Sequence, residues 1–189
     1  MSKQFTINES FSLTGKGLHT GLNIEANFLP AEENTGIIFK RIDLEGAQEI
    51  PAIATYVSAT ERGTVIKKGE AAVSTIEHIM SAFMAHGIDN CIIEINAPEV
   101  PILDGSAKFV VEALNKVGKK ELNAERKFFE VKEEMTFTNG TSTIKLLPAD
   151  DFCAEVTIDF NSPVLKKQSA SICDYTNYDN EIASARTFV

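Results

Sequence analysis

The chain has 189 residues, 43% of them apolar and 24% charged, proportions that suit a folded globular protein large enough to bury its own core. Its 18 Lys and Arg against 27 Asp and Glu leave a formal net charge of −9, and with no clustered basic face this excludes a nucleic-acid binder. No apolar run approaches the roughly 20 residues of a membrane span. The polar start, residues 1–9, has no signal-peptide core. Three scattered cysteines, Cys91, Cys153 and Cys173, argue against a disulfide framework or a zinc knot and for a reducing cytoplasm.

The first seventy residues read as short strands between turns. Ile24, Ala26 and Phe28 alternate with Asn23, Glu25 and Asn27, the period of a half-buried strand. Residues 36–40, 51–57 and 63–69 suggest further strands. Between residues 74 and 86 the period changes: Ile76, Ile79, Met80, Phe83 and Met84 fall at helical spacing. Ser74 stands three residues before Glu77 as in a capping box, and Gly87 suits a left-handed helix end. A buried-type strand follows over residues 90–96. Pro98 and Pro101 keep the next segment extended, Asp104 and Gly105 turn it, and a second helix is expected over residues 106–117, capped by Ser106 and stopped at Gly118.

Residues 119–127 are polar and form the best candidate boundary. Beyond them strands are expected over residues 128–137, 143–147 and 153–160, with a turn at Asn139 and Gly140. The order of strands, helices and strands again predicts an α+β protein of two tandem domains. The first covers residues 1–124; the second covers residues 125–189 and is incomplete.

Few residues could carry chemistry. Of three histidines, His78 follows Glu77 at the start of the first helix. His78 could bind a metal while Glu77 serves as general base, or Glu77 could simply complete the capping box beside a surface His78. The segment GKGLHTG, residues 15–21, could cradle an anion on its amides with Lys16 adding charge, or form a tight hairpin that needs glycine. Asp104 could be an acid or organise its own turn. Asp159 and Phe160 could face a nucleobase or sit in an ordinary core, Phe128 and Phe129 read as core and edge residues, and His86 suits a helix C-terminus as a cation.

The order of these segments is more specific than any one of them. GKGLHTG (15–21), STIEH (74–78), GIDN (87–90), NAPEVPILDGS (96–106), IDF (158–160) and ARTF (185–188) together closely resemble the UDP-3-O-acyl-N-acetylglucosamine deacetylases, zinc enzymes that commit Gram-negative bacteria to lipid A synthesis. The resemblance runs from about residue 3 to the end. It implies two α+β domains, each a sheet with helices packed on one face, the helices lying between the sheets. By position, His78 matches a zinc ligand, Glu77 the general base, and Thr187 a threonine that stabilises the oxyanion, with Phe188 beside the same site. Asp159 and Phe160 match positions that hold the uracil, and His19 one that lines the substrate cleft.

Members of that family also continue past ARTF into a segment with a His and an Asp that complete the zinc site, a later His acting as general acid, and an insert forming the acyl-chain passage. No histidine follows His86 here, and Ser142 stands where a lysine is expected. The expectation is therefore a fragment of a cytoplasmic deacetylase acting on UDP-3-O-acyl-N-acetylglucosamine, its zinc site incomplete in this chain and the chain inactive alone. Some members are fused at the C-terminus to a 3-hydroxyacyl-carrier-protein dehydratase. The alternative is a non-catalytic module that binds nucleotide sugars or a partner.

Overall fold

In the computed structural model, which describes residues 2–173 and 175–187, the chain divides into two units. One comprises residues up to 126 together with those from 178 onward; the other comprises residues 127–177. The last described segment thus returns to the first unit rather than extending the second.

The first unit is an α+β assembly. Strands β1 (Lys3–Ile7), β2 (Phe11–Lys16), β3 (Asn23–Pro30), β4 (Ile37–Arg41), β5 (Gln48–Pro51), β6 (Val57–Ala59), β7 (Val65–Lys68) and β8 (Ala71–Val73) precede helix α1 (Glu77–His86). Then come β9 (Cys91–Ile95), α2 (Lys108–Val117) and β10 (Lys119–Glu125); a short α3 (Tyr178–Glu181) follows the second unit in sequence. The central sheet has the order β2-β3-β9-β4-β5, with β4 and β9 parallel and the other neighbours antiparallel.

Alternation along β3 decides which face is covered. Ile24, Ala26 and Phe28 are buried, while Asn23 and Glu25 are exposed. The covered face meets α1, where Phe83 lies edge-on to Phe28 with ring centroids 6.0 Å apart. Phe28, Phe39 and Phe83 are the largest fully enclosed side chains, each contributing about 1.5–3 kcal/mol by leaving water. The helix ends at Gly87, whose left-handed φ of 68° lets its amide reach the carbonyls of Met84 and Phe83. Asp89 then accepts the Phe5 amide at 2.8 Å and pairs with Arg126, which also donates to the Gly87 carbonyl at 2.6 Å. The buried Asn90 bridges Gln4 and the Gly36 amide. The segment GIDN is therefore a structural clasp between α1, β1 and β9.

Several local expectations are corrected. Residues 51–57 do not form one strand: β5 ends at Pro51, a 3-10 turn spans Ala54–Tyr56, and Ile53 is left 55% exposed, so the apolar run has no core to face. Polar residues 119–125 form a strand, β10, paired antiparallel with β1, and the first unit gives way to the second just after it, between residues 126 and 127. Ladder hydrogen bonds use the backbone and tolerate a polar sequence where both faces meet water. The capping box does not form either. Ser74 donates its hydroxyl and amide to the Pro98 carbonyl, and α1 starts at Glu77 with Ile76 before it.

The second unit consists of two hairpin-like pairs, β11 (Met135–Asn139) with β12 (Ser142–Leu146) and β13 (Ala154–Ile158) with β14 (Gln168–Ile172). β11 starts later than expected, and Phe128 and Phe129 are not core residues but 74% and 82% exposed. Cys153 and Cys173 are joined as a disulfide, against the expectation from cysteine count. The pairing of Ala154 with Ile172 places the two cysteines opposite each other, a proximity that sequence spacing does not reveal. Among the described residues no helix is long and apolar enough to cross a membrane.

Candidate functional site

Four segments of the first unit converge around the start of α1: the β2–β3 loop, the β6–β7 turn, residues 74–78, and residues 98–106. Glu77 is the first residue of α1, where the helix dipole favours a negative charge. Its Oε2 accepts the Thr64 amide at 2.9 Å. That single bond anchors one oxygen of a half-buried carboxylate and leaves the other with its lone pairs for a proton. His78 is half-buried next to it. As successive helical residues, Glu77 and His78 project about 100° apart around the axis, so they can address one small group from two directions without bonding each other.

The backbone two residues before Glu77 is strained. Thr75 has φ of 63°, a left-handed conformation that β-branched side chains avoid at about 1–3 kcal/mol. It is held there by its amide on the Thr64 carbonyl at 3.0 Å and its hydroxyl on Glu99 Oε1 at 3.3 Å.

Glu99 organises the facing loop. It is fully buried, and its carboxylate accepts the amides of His19 and Thr20 and the Thr20 hydroxyl at 2.8–3.2 Å. Burial pushes the Glu99 carboxyl up, but the His19 and Thr20 donors outweigh it and hold the group below the usual carboxylate range. The loop GKGLHTG is thus both of its readings at once: a hairpin turn between β2 and β3, and a set of amides cradling an anion, which is the chain's own Glu99. A Cβ at Gly17 would overlap Glu99 Oε2 and Thr20 Oγ1, so glycine is required by close approach. The exposed His19 turns its ring outward to the Arg62 carbonyl, with Nε2 3.1 Å away.

Asp104 does organise its own turn, accepting the Ser106 amide at 3.1 Å and hydroxyl at 2.7 Å. Burial opposes its ionisation, but those Ser106 bonds and the nearby Arg186 hold it below its ordinary value. Thr187 is exposed and docks on the same turn, its amide on the Gly105 carbonyl at 2.8 Å. His19, Glu77, His78 and Thr187 therefore all belong to the first unit. Asp159 and Phe160 belong to the second, just after β13, where Asp159 accepts the Asn161 amide at 3.0 Å. Phe188 lies outside the described residues. His86 pairs with Asp179 at 2.9 Å at the C-terminal end of α1, away from the helix start.

Sequence reasoning missed Glu99 and Thr75. A signal for Glu99 was present: a lone acid among Ala97, Pro98, Val100 and Pro101 marks a carboxylate carried inward. Among the described residues no group of three or more His, Cys, Asp or Glu side chains is disposed to hold a metal ion. His78 offers one imidazole where a catalytic zinc takes about three protein ligands, so these residues do not make such a site by themselves.

Comparison with known proteins bears on the same residues. A family model described as UDP-3-O-acyl N-acetylglycosamine deacetylase (LpxC) matches residues 4–189. The chain is 50% identical over 191 residues to the bifunctional enzyme LpxC/FabZ of Porphyromonas gingivalis and 45% identical to that of Bacteroides thetaiotaomicron, covering 100% of this chain and 41% of each relative. It is 41% identical over 192 residues to the UDP-3-O-acyl-N-acetylglucosamine deacetylase of Saccharophagus degradans, again over 100% of this chain and over 63% of that protein. The chain thus spans between two-fifths and two-thirds of the length of these relatives.

Proposed function

Because the chain belongs to the UDP-3-O-acyl N-acetylglycosamine deacetylase family, we propose that it supplies the general base of an amide hydrolase that frees the amine of UDP-3-O-acyl-N-acetylglucosamine and releases acetate, the committed step of lipid A synthesis. The observation that carries this reading is Glu77, whose carboxylate is pinned on one oxygen by the Thr64 amide and presented at a helix start beside His78. Glu77 takes the proton of the water that attacks the acetamide carbon. A base held by one amide bond keeps its direction while leaving the second oxygen to move the proton. Thr187, tied to the Gly105 carbonyl, offers its hydroxyl to the oxyanion of the tetrahedral intermediate. His19 lines the substrate cleft, Asp159 and Phe160 receive the uracil by hydrogen bonding and stacking, and Phe188 is read as a further substrate-binding residue.

A zinc ion bound beside Glu77 would polarise the acetamide carbonyl and lower the pKa of its water toward ~7. We read His78 as one of its ligands, with the others in the part of the relatives' length that this chain does not span. Exposed Phe128, Phe129, Phe137 and Val164 support reading the segment from residue 125 as the opening of a second α+β domain, covered by that further sequence. The named LpxC/FabZ relatives support a C-terminal fusion to a 3-hydroxyacyl-carrier-protein dehydratase. The location is cytoplasmic.

The test uses the protein extended to its relatives' full length. It should release acetate from UDP-3-O-acyl-N-acetylglucosamine, lose that activity in chelator, and regain it with zinc. Replacing His78 with Ala should also lower the zinc content measured by atomic absorption. Full activity in chelator-treated protein would remove the metal from the mechanism.

A further inference from the structure

Among the described residues Glu99 is the one fully buried acid, and the mechanism above gives it no part. Its contacts do not stop at a loop. The Glu99 carboxylate holds the backbone of His19 at 3.0 Å, and the His19 ring meets the Arg62 carbonyl at 3.1 Å. Two residues on, the Thr64 amide holds Glu77 at 2.9 Å. Two residues before Glu77, the Thr75 hydroxyl returns to Glu99 at 3.3 Å. The hydrogen bonds close a ring: Glu99, His19, the β6–β7 turn, Glu77, Thr75 and Glu99 again.

The join between residues 74 and 98–100 does not depend on this carboxylate. Ser74 already donates its amide to the Pro98 carbonyl at 3.0 Å and accepts the Val100 amide at 3.2 Å. What the carboxylate adds is the reach across to His19 and Thr20, and the hydroxyl bond that helps keep Thr75 at its strained φ of 63°. A buried ion spent on such a link fixes geometry more than it adds stability.

We propose that Glu99 is a positioning residue that sets the spacing between His19, on the substrate side, and the base Glu77. The proposal rests on the roles given to those two residues above. Small displacements of a positioned base are costly, because about 1 Å of misplacement can lower a rate by about a hundredfold.

The test is a set of variants of the full-length, zinc-loaded enzyme, with kcat and KM for UDP-3-O-acyl-N-acetylglucosamine. Glu99→Ala should lower kcat/KM by about tenfold or more. Glu99→Gln, which keeps one acceptor oxygen for Thr20, should recover part of that loss. The decisive readout is coupling. Adding Thr75→Val to Glu99→Ala should cost less than about twofold beyond Glu99→Ala alone, because the first change has already removed the contact that the second removes. Losses that multiply, or wild-type kinetics in a folded Glu99→Ala protein that merely melts earlier, overturn the proposal. If Glu99→Ala does not fold, Thr75→Val carries the test from the other side of the ring, by removing only the hydroxyl. It should lower kcat by about threefold or more with KM unchanged, and a folded Thr75→Val enzyme with normal kcat overturns the proposal equally. Glu77→Ala separates the two readings: its full activity would sink the proposed function, whatever Glu99 does.

Discussion

The Glu77 carboxylate accepts its hydrogen bond from the Thr64 amide at 2.9 Å, so the turn between β6 and β7 orients the head of α1. A side chain anchored through one oxygen can be changed in basicity without being released. Glu77→Gln keeps an oxygen for Thr64, so its melting temperature should stay close to wild type while deacetylation in the full-length enzyme falls by about 10²–10⁴. Glu77→Ala should show the same loss of rate and about 1 kcal/mol of lost stability as well. Acetate release and thermal melts on the two variants check this; a Gln variant with wild-type turnover would contradict the base assignment.

Acid should weaken the first unit through Glu99. Its carboxyl is held below the ordinary 4.5 because, although burial opposes ionisation, the donors from His19 and Thr20 favour it. Asp43 is lowered too, chiefly by its hydrogen bond from Arg41. A depressed carboxyl contributes stability that is complete above its unfolded value and lost as pH falls through the folded value. The stability gap between wild type and Glu99→Gln should therefore be largest near about pH 6 and shrink toward about pH 3. Denaturant titrations across that range measure it. A gap that widened in acid would reverse the sign.

Gly87→Ala should destabilise more than Gly36→Ala. Both glycines have positive φ, 68° and 74°, but a Cβ at position 87 would lie 2.8 Å from Arg126 Nη2, whereas position 36 faces open space. The backbone part costs about 1 kcal/mol in each. Only the first also displaces a guanidinium that bonds Asp89 and the Gly87 carbonyl. Urea midpoints of the two variants should differ accordingly, and equal midpoints would show that the guanidinium contributes nothing.

Cys91 should be unreactive in the native fold. It is fully buried on β9, and burial pushes its thiol up to about 12, so almost no thiolate exists at neutral pH. In a Cys153→Ser, Cys173→Ser background, iodoacetamide should label Cys91 only after guanidinium unfolds the protein. Rapid labelling of the folded variant would place the thiol at the surface.

Much of this was legible in the chain. The alternation of Ile24, Ala26 and Phe28 and the helical spacing of Ile79 and Phe83 mark the faces that meet, because burial follows the period of the backbone. Gly87 and Gly118 stop their helices as their freedom at positive φ requires. The candidate residues His19, Glu77 and His78 were found from motif order, and three of the four converging segments carry one of those motifs.

What local patterns determined, then, was most of the strands and helices and where the candidate residues lie along the chain. Tertiary structure alone decided the partners. Ser74 turned to Pro98 rather than to its helix, polar residues 119–125 became a strand because β1 offered a ladder, and Cys153 met Cys173 across a hairpin. Above all, the glycine loop found its anion in Glu99, 80 residues away from His19. Hydrogen-bond donors are satisfied by whatever group the fold brings within about 3 Å, and no spacing along the chain specifies that distance.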